Sequence, residues 1–130
     1  MEQNVFEEMA KRYDTEERME LAKVVVREVK KELQDSQSKS LIDYGSGTGL
    51  VGLELTDMVE SVLLIDSSEQ MLEVAKAKIT QRGITNADVL HSDFTKGTPD
   101  VKADIVLIVA RSSPHPRYPK DFTRNVHDPP

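Results

Sequence analysis

Four short apolar runs constrain what this chain can become. They read SLIDYG (40–45), SVLLID (61–66), ADVLHSDF (87–94) and ADIVLIVA (103–110). The segments between the first three carry helical spacing. Strands that alternate with helices need crossover connections, and these build a parallel sheet. The fourth run is apolar throughout, as expected of a strand buried on both faces. The expected fold class is therefore α/β, with helices flanking a parallel sheet and no internal repeat.

The helical segments follow from periodicity. Phe6, Met9 and Tyr13 sit at helical spacing, and Met19, Ala22, Val26, Val29 and Leu33 form one stripe, so one packed helix is expected across residues 4–33. A coiled coil needs about three or four heptads, more than this stretch holds. A second helix is expected near 48–58 and a third over 68–82. Ser67 and Gln70 fit a capping box for the third, and Met71, Leu72, Ala75 and Ile79 give its buried face. Gly83 suits the left-handed position after a helix end.

The stretch from 41 to 55, LIDYGSGTGLVGLEL, carries the chemistry. Two patterns overlap in it. D-x-G-x-G-x-G begins at Asp43, and G-x-G-x-x-G begins at Gly47. The first fits a nucleoside bearing a sulfonium and an amino acid; the second fits a dinucleotide pyrophosphate. Ligands of open α/β sheets bind beyond the carboxyl ends of the strands, and glycines there let the backbone approach closely. Asp43 separates the readings. A carboxylate two residues before Gly45 repels a pyrophosphate and attracts an ammonium or sulfonium group. Asp66 ends the second run, 21 residues after Gly45, where a carboxylate can accept ribose hydroxyls. Asp93 closes HSDF, where it could accept from an adenine amino group; an exposed turn acid is the plainer alternative.

Five stretches together carry a resemblance: FEEMAKRYD, LIDYGSGTGLVGLEL, LLIDSSEQMLEVAKAKI, HSDF and ADIVLIV. The chain resembles the class I S-adenosylmethionine-dependent methyltransferases from Phe6 to about Val109. The resemblance implies a Rossmann-like methyltransferase fold, here a partial parallel sheet with strand order 3-2-1-4. It implies S-adenosyl-L-methionine as cofactor and methyl transfer to a small-molecule or protein acceptor. It also implies site roles. Asp43 faces the methionine amino group, directly or through water, and Gly45, Gly47 and Gly49 line the cofactor. Asp66 takes the ribose hydroxyls, Ser67 and Met71 flank the adenine, and Asp93 with the Phe94 backbone reaches the adenine edge. Tyr13 matches an aromatic that closes over the cofactor, with a core tyrosine as the equal alternative. No catalytic residue is assigned. Rival readings are a non-catalytic adenosylmethionine-binding or self-associating fragment and, less favoured, an NAD-binding oxidoreductase domain.

Composition narrows the classes. The 130 residues favour one domain, with 38% hydrophobic and 31% charged residues. A formal charge of −6 with no basic stripe argues against a nucleic-acid partner. There is no cysteine, so disulfides and thiolate chemistry are excluded. No two histidines share metal-ligand spacing, so no metal is expected. His91 is expected to be a half-buried strand histidine. The start, MEQNVFEEMAKRY, lacks the apolar core of a signal peptide, and no run reaches about 18 apolar residues. A cytoplasmic setting is the default.

After Ala110 the composition changes. RSSPHPRYPKDFTRNVHDPP holds five of the six prolines and no apolar period. The expected division is a cofactor-binding part at 1–110 and a disordered or frameshifted tail at 111–130. One plausible codon set for the tail, moved forward one base, reads LVLLHIPDTPKILQEMFMIL, which resembles what the family places after its fourth strand. His115, Arg117 and His127 are accordingly not read as catalytic. With such a tail the fourth strand would be an open apolar edge, prone to self-association.

Overall fold

A computed structural model describes residues 2–93, 97, 99–109 and 123–125. Two helices lead the chain, α1 (Glu2–Tyr13) and α2 (Glu16–Glu32). The single helix expected over 4–33 is broken at Asp14–Thr15. Thr15 is extended and its Oγ1 accepts from the Arg18 N–H at 3.3 Å, so it caps α2, with Glu16 and Glu17 complementing the positive helix end.

The sheet contains β1 (Ser40–Tyr44), β2 (Ser61–Asp66), β3 (Ala87–His91), β4 (Ile105–Val109) and β5 (Thr123–Asn125), in spatial order β3-β2-β1-β4-β5. The first four pair parallel in the expected order 3-2-1-4. The open edge expected beyond β4 is not found. Thr123–Asn125 pairs antiparallel with Leu107–Val109, where a disordered tail was expected. The rest of that tail lies outside the described residues. β4 also departs from expectation in burial. Ile105 and Leu107, on one face, are buried, whereas Val106, Ile108 and Val109 are only half-buried, so the strand is not covered on both faces.

Register is fixed at the start of the β1–β4 pair by a reciprocal bond. Where β1 and β4 begin, the Ser40 N–H donates to Asp104 Oδ2 at 2.9 Å, and the Asp104 N–H donates to Ser40 Oγ at 3.1 Å. Leu41, Val62, Leu64, Ile105 and Leu107 supply the sheet's part of the core. Against them pack Ala22, Leu33, Leu53, Leu55, Leu72 and Ala75.

Between β1 and β2, the helix expected over 48–58 is only a single 3-10 turn, Gly52–Leu55. Glycines at 49 and 52 each cost about 1 kcal/mol in a helix, and the buried Val51, Leu53 and Leu55 are satisfied by a tight turn instead. Helix α3 (Glu69–Arg82) follows β2. Its cap is Ser68, one residue later than expected, whose Oγ accepts from the Met71 N–H at 3.2 Å. It ends as expected at Gly83, with φ of 64°. Among the described residues, no helix is long and apolar enough to cross a membrane.

Candidate functional site

The glycine loop leaves the carboxyl end of β1 and folds over the end of β2. Gly45, Gly47 and Gly49 all have positive φ, at 72°, 57° and 87°. The Gly45 and Ser46 N–H groups both donate to the Ile65 carbonyl, at 2.8 and 3.0 Å, stitching the loop to β2. Two of the glycines also answer to close packing. A Cβ on Gly49 would stand 2.8 Å from Leu53 Cδ1, and one on Gly52 would overlap Leu64 and stand 2.8 Å from Asp43 Oδ2.

Asp66 organises the rim. Its Oδ2 accepts from the Gly47 N–H and its Oδ1 from the Ser68 N–H, both at 2.8 Å. One carboxylate thus joins the glycine loop to the start of α3. Each oxygen keeps a second acceptor position, so a pair of vicinal hydroxyls can still be accepted.

Asp43 sits one layer beneath. It is wholly buried, and it pairs in register with Leu64 on one side and Leu107 on the other. Its carboxylate lies under the loop, close against Gly52.

The remaining expected residues divide. Ser67 is exposed, and its carbonyl accepts from His91 Nε2 at 3.0 Å. A carbonyl can only accept, so Nε2 carries the proton. His91 Nδ1 stands 3.5 Å from Glu69 Oε1. His91 is therefore exposed, not half-buried as expected, because its ring leans outward over the start of α3. Met71 is half-buried on the first turn of α3. Asp93 is exposed beyond β3, and Phe94 lies outside the described residues. Tyr13 ends α1 half-buried, and α1 lies against α3. Among the described residues, no cluster could hold a metal ion.

The structure also assembles a group that sequence reasoning missed. Asp14, Thr48 and Lys78 meet from the α1–α2 turn, the glycine loop and α3. Thr48 Oγ1 donates to Asp14 Oδ1 in a short hydrogen bond. Lys78 Nζ donates to Asp14 Oδ2 at 2.7 Å and to Thr48 Oγ1 at 3.4 Å. The Lys78 and Asp14 side chains are only 12% and 9% exposed. Burial pushes the Lys78 ammonium below its ordinary 10.5, against the raising effect of Asp14. A signal was present: Lys78 stands four residues after Val74 and three after Ala75, on the buried face of α3.

The model of a methyltransferase domain matches residues 41–128. The chain belongs to that family. The methyltransferase domain is 30% identical over 82 residues to a protein-L-isoaspartate O-methyltransferase of Roseiflexus sp., covering 63% of this chain and 38% of that protein. It spans about two fifths of the length of the curated relatives it matches. Its fold matches a SAM-dependent methyltransferase from Aquifex aeolicus with TM-score 0.56 and 30% identity, over 65% of this chain and 47% of that one. A second match is a SAM-dependent methyltransferase from Thiobacillus denitrificans, solved with S-adenosyl-L-homocysteine: TM-score 0.54, 24% identity, over 67% of this chain and 36% of the other.

Proposed function

We propose that this chain is the cofactor-binding part of an S-adenosylmethionine-dependent methyltransferase acting on a small-molecule or protein acceptor. The observation that carries the reading is the glycine loop bordered by two carboxylates, Asp43 beneath it and Asp66 on its rim. That arrangement opposes a pyrophosphate and suits a ligand with an ammonium, a sulfonium and ribose hydroxyls. Asp66 would accept the ribose hydroxyls, and Gly45, Gly47 and Gly49 would line the ligand. Ser67, Met71, Asp93 and Phe94 would border the adenine, and Tyr13 would stand at the mouth. Asp43, being covered, would act on the amino group through the loop or a water. The cofactor brings its own leaving group, so the chain's part in the reaction is to hold and orient it. The family match and the solved relatives support this reading over a nicotinamide site.

Titration calorimetry with S-adenosylhomocysteine and with NAD tests it. The expected result is binding of the first and not the second. Asp66→Ala is expected to lose about 1.5–3 kcal/mol for each ribose hydrogen bond removed. NAD binding without S-adenosylhomocysteine binding would overturn the assignment, and unchanged affinity in Asp66→Ala would overturn the ribose role. A turnover assay over candidate acceptors then separates an enzyme from a chain that only binds.

A further inference from the structure

Thr48 stands between Gly47 and Gly49, both with positive φ. Glycines on either side leave such a loop many conformations to choose from. Within Gly47–Gly49, Thr48 alone has a side chain that can anchor the loop elsewhere in the fold. That anchor is the Asp14 carboxylate, held in turn by Lys78. Asp14 directly follows Tyr13, so one hydrogen-bonded triangle ties the glycine loop, α3 and the end of α1 together.

We infer that Asp14, Thr48 and Lys78 are positioning residues, which hold the glycine loop in its ligand-receiving conformation and tie it to the end of α1, next to Tyr13. The inference rests on the loop being the cofactor site. Three features carry it. The triangle closes on itself: each member bonds both others, through one ammonium, one hydroxyl and one carboxylate. It is buried, whereas the neighbouring tie between Arg82 and Glu54, 2.9 Å long, has both side chains about half exposed and is the weaker constraint. Its charges are also costly where they stand. A buried ion pair seldom stabilises a fold more than apolar packing of the same size, so what this one supplies is a defined geometry.

The test uses the full 130-residue chain. Backbone hydrogen exchange at Gly47 and Gly49 is followed without ligand, and S-adenosylhomocysteine affinity is measured by calorimetry. Lys78→Met and Thr48→Val are each expected to speed exchange at those amides about tenfold and to weaken binding about tenfold, the usual scale of coupling within one network. The two together are expected to cost no more than either alone, because they break one unit. Lys78→Arg is expected to recover most of both. Asp14→Asn with Lys78→Met leaves no charge stranded, and is expected to fold yet keep the loosened loop.

Wild-type exchange in folded Lys78→Met and Thr48→Val would overturn the inference. So would wild-type exchange and affinity in Asp14→Asn/Lys78→Met, since the single variants would then report only a stranded charge. Faster exchange in a chain that never binds S-adenosylhomocysteine would uphold the positioning role and remove the cofactor reading. Binding that Asp66→Ala abolishes but the triangle variants leave intact would do the reverse.

Discussion

Gly52 shows how little room the site leaves at the scale of one residue. A methyl group there would overlap Leu64 and crowd the Asp43 carboxylate, and both neighbours are buried. Gly52→Ala is expected to destabilise the fold by about 1–3 kcal/mol, the range for an overpacked core, as read from urea unfolding. An unchanged midpoint would mean that Leu64 and Asp43 move aside freely. Lys78 gives a prediction with a sign. Its folded pKa lies below 10.5, so between the two values the unfolded chain binds more protons and stability rises with pH. That increment is complete above 10.5 and is lost as pH falls through the folded value. The stability of the wild type relative to Lys78→Met is therefore expected to grow as pH rises toward 10.5. A flat difference would show that Asp14 offsets the burial.

At the scale of elements, some boundaries were legible and others were not. β2 was placed residue for residue, because the unbroken apolar run Val62–Ile65 is closed by polar Ser61 and Asp66. Gly83 was legible for a similar reason, since a glycine after a helical pattern has a single common use. Gly83→Ala keeps φ at 64° only with strain and is expected to lower stability by about 1 kcal/mol, measurable as a drop in Tm. The segment 48–58 misled because Leu50, Val51, Leu53 and Leu55 are apolar at close spacing, which a buried turn satisfies as well as a helix does. The break at Asp14 was hidden by continuous helical periodicity on both sides, although Thr15 before two glutamates is a helix start. The cap slipped from Ser67 to Ser68 because Asp66 draws in the Ser68 N–H, a bond that no spacing rule reveals. The same limit hid the triangle. Lys78 and Asp14 are 64 positions apart, and only the packing of α1 on α3 brings them together.

At the scale of the whole molecule, the order 3-2-1-4 followed from the resemblance and stands in the structure. The segment beyond β4 was the least legible part. β5 extends the sheet where a structureless tail was expected, and the family match runs on to residue 128. Five prolines within 20 residues still set that segment apart from the rest of the chain. We propose that the coding DNA across Val109 to Ser112 holds a frame change. Sequencing is expected to show the shifted frame open and encoding alternating apolar segments. A clean frame with nothing strand-like in the alternatives would make the present tail native.

The reciprocal pair Ser40–Asp104 bears on the order in which the molecule assembles. It spans 64 residues, while the Gly47–Asp66 bond that shapes the glycine loop spans 19. Loop-closure entropy makes the longer contact costlier by about 1 kcal/mol before any contact offsets it. The loop and the first two strands are therefore expected to form early and β4 to dock late. Ser40→Ala is expected to speed unfolding while leaving the folding rate nearly unchanged in stopped-flow kinetics. A slowed folding arm would place the pair in the nucleus instead. A β4 that docks late is expected to be released first, so openings that free this strand can occur while the stitched loop survives. The ligand-receiving end of the sheet would then outlast the strand beside it.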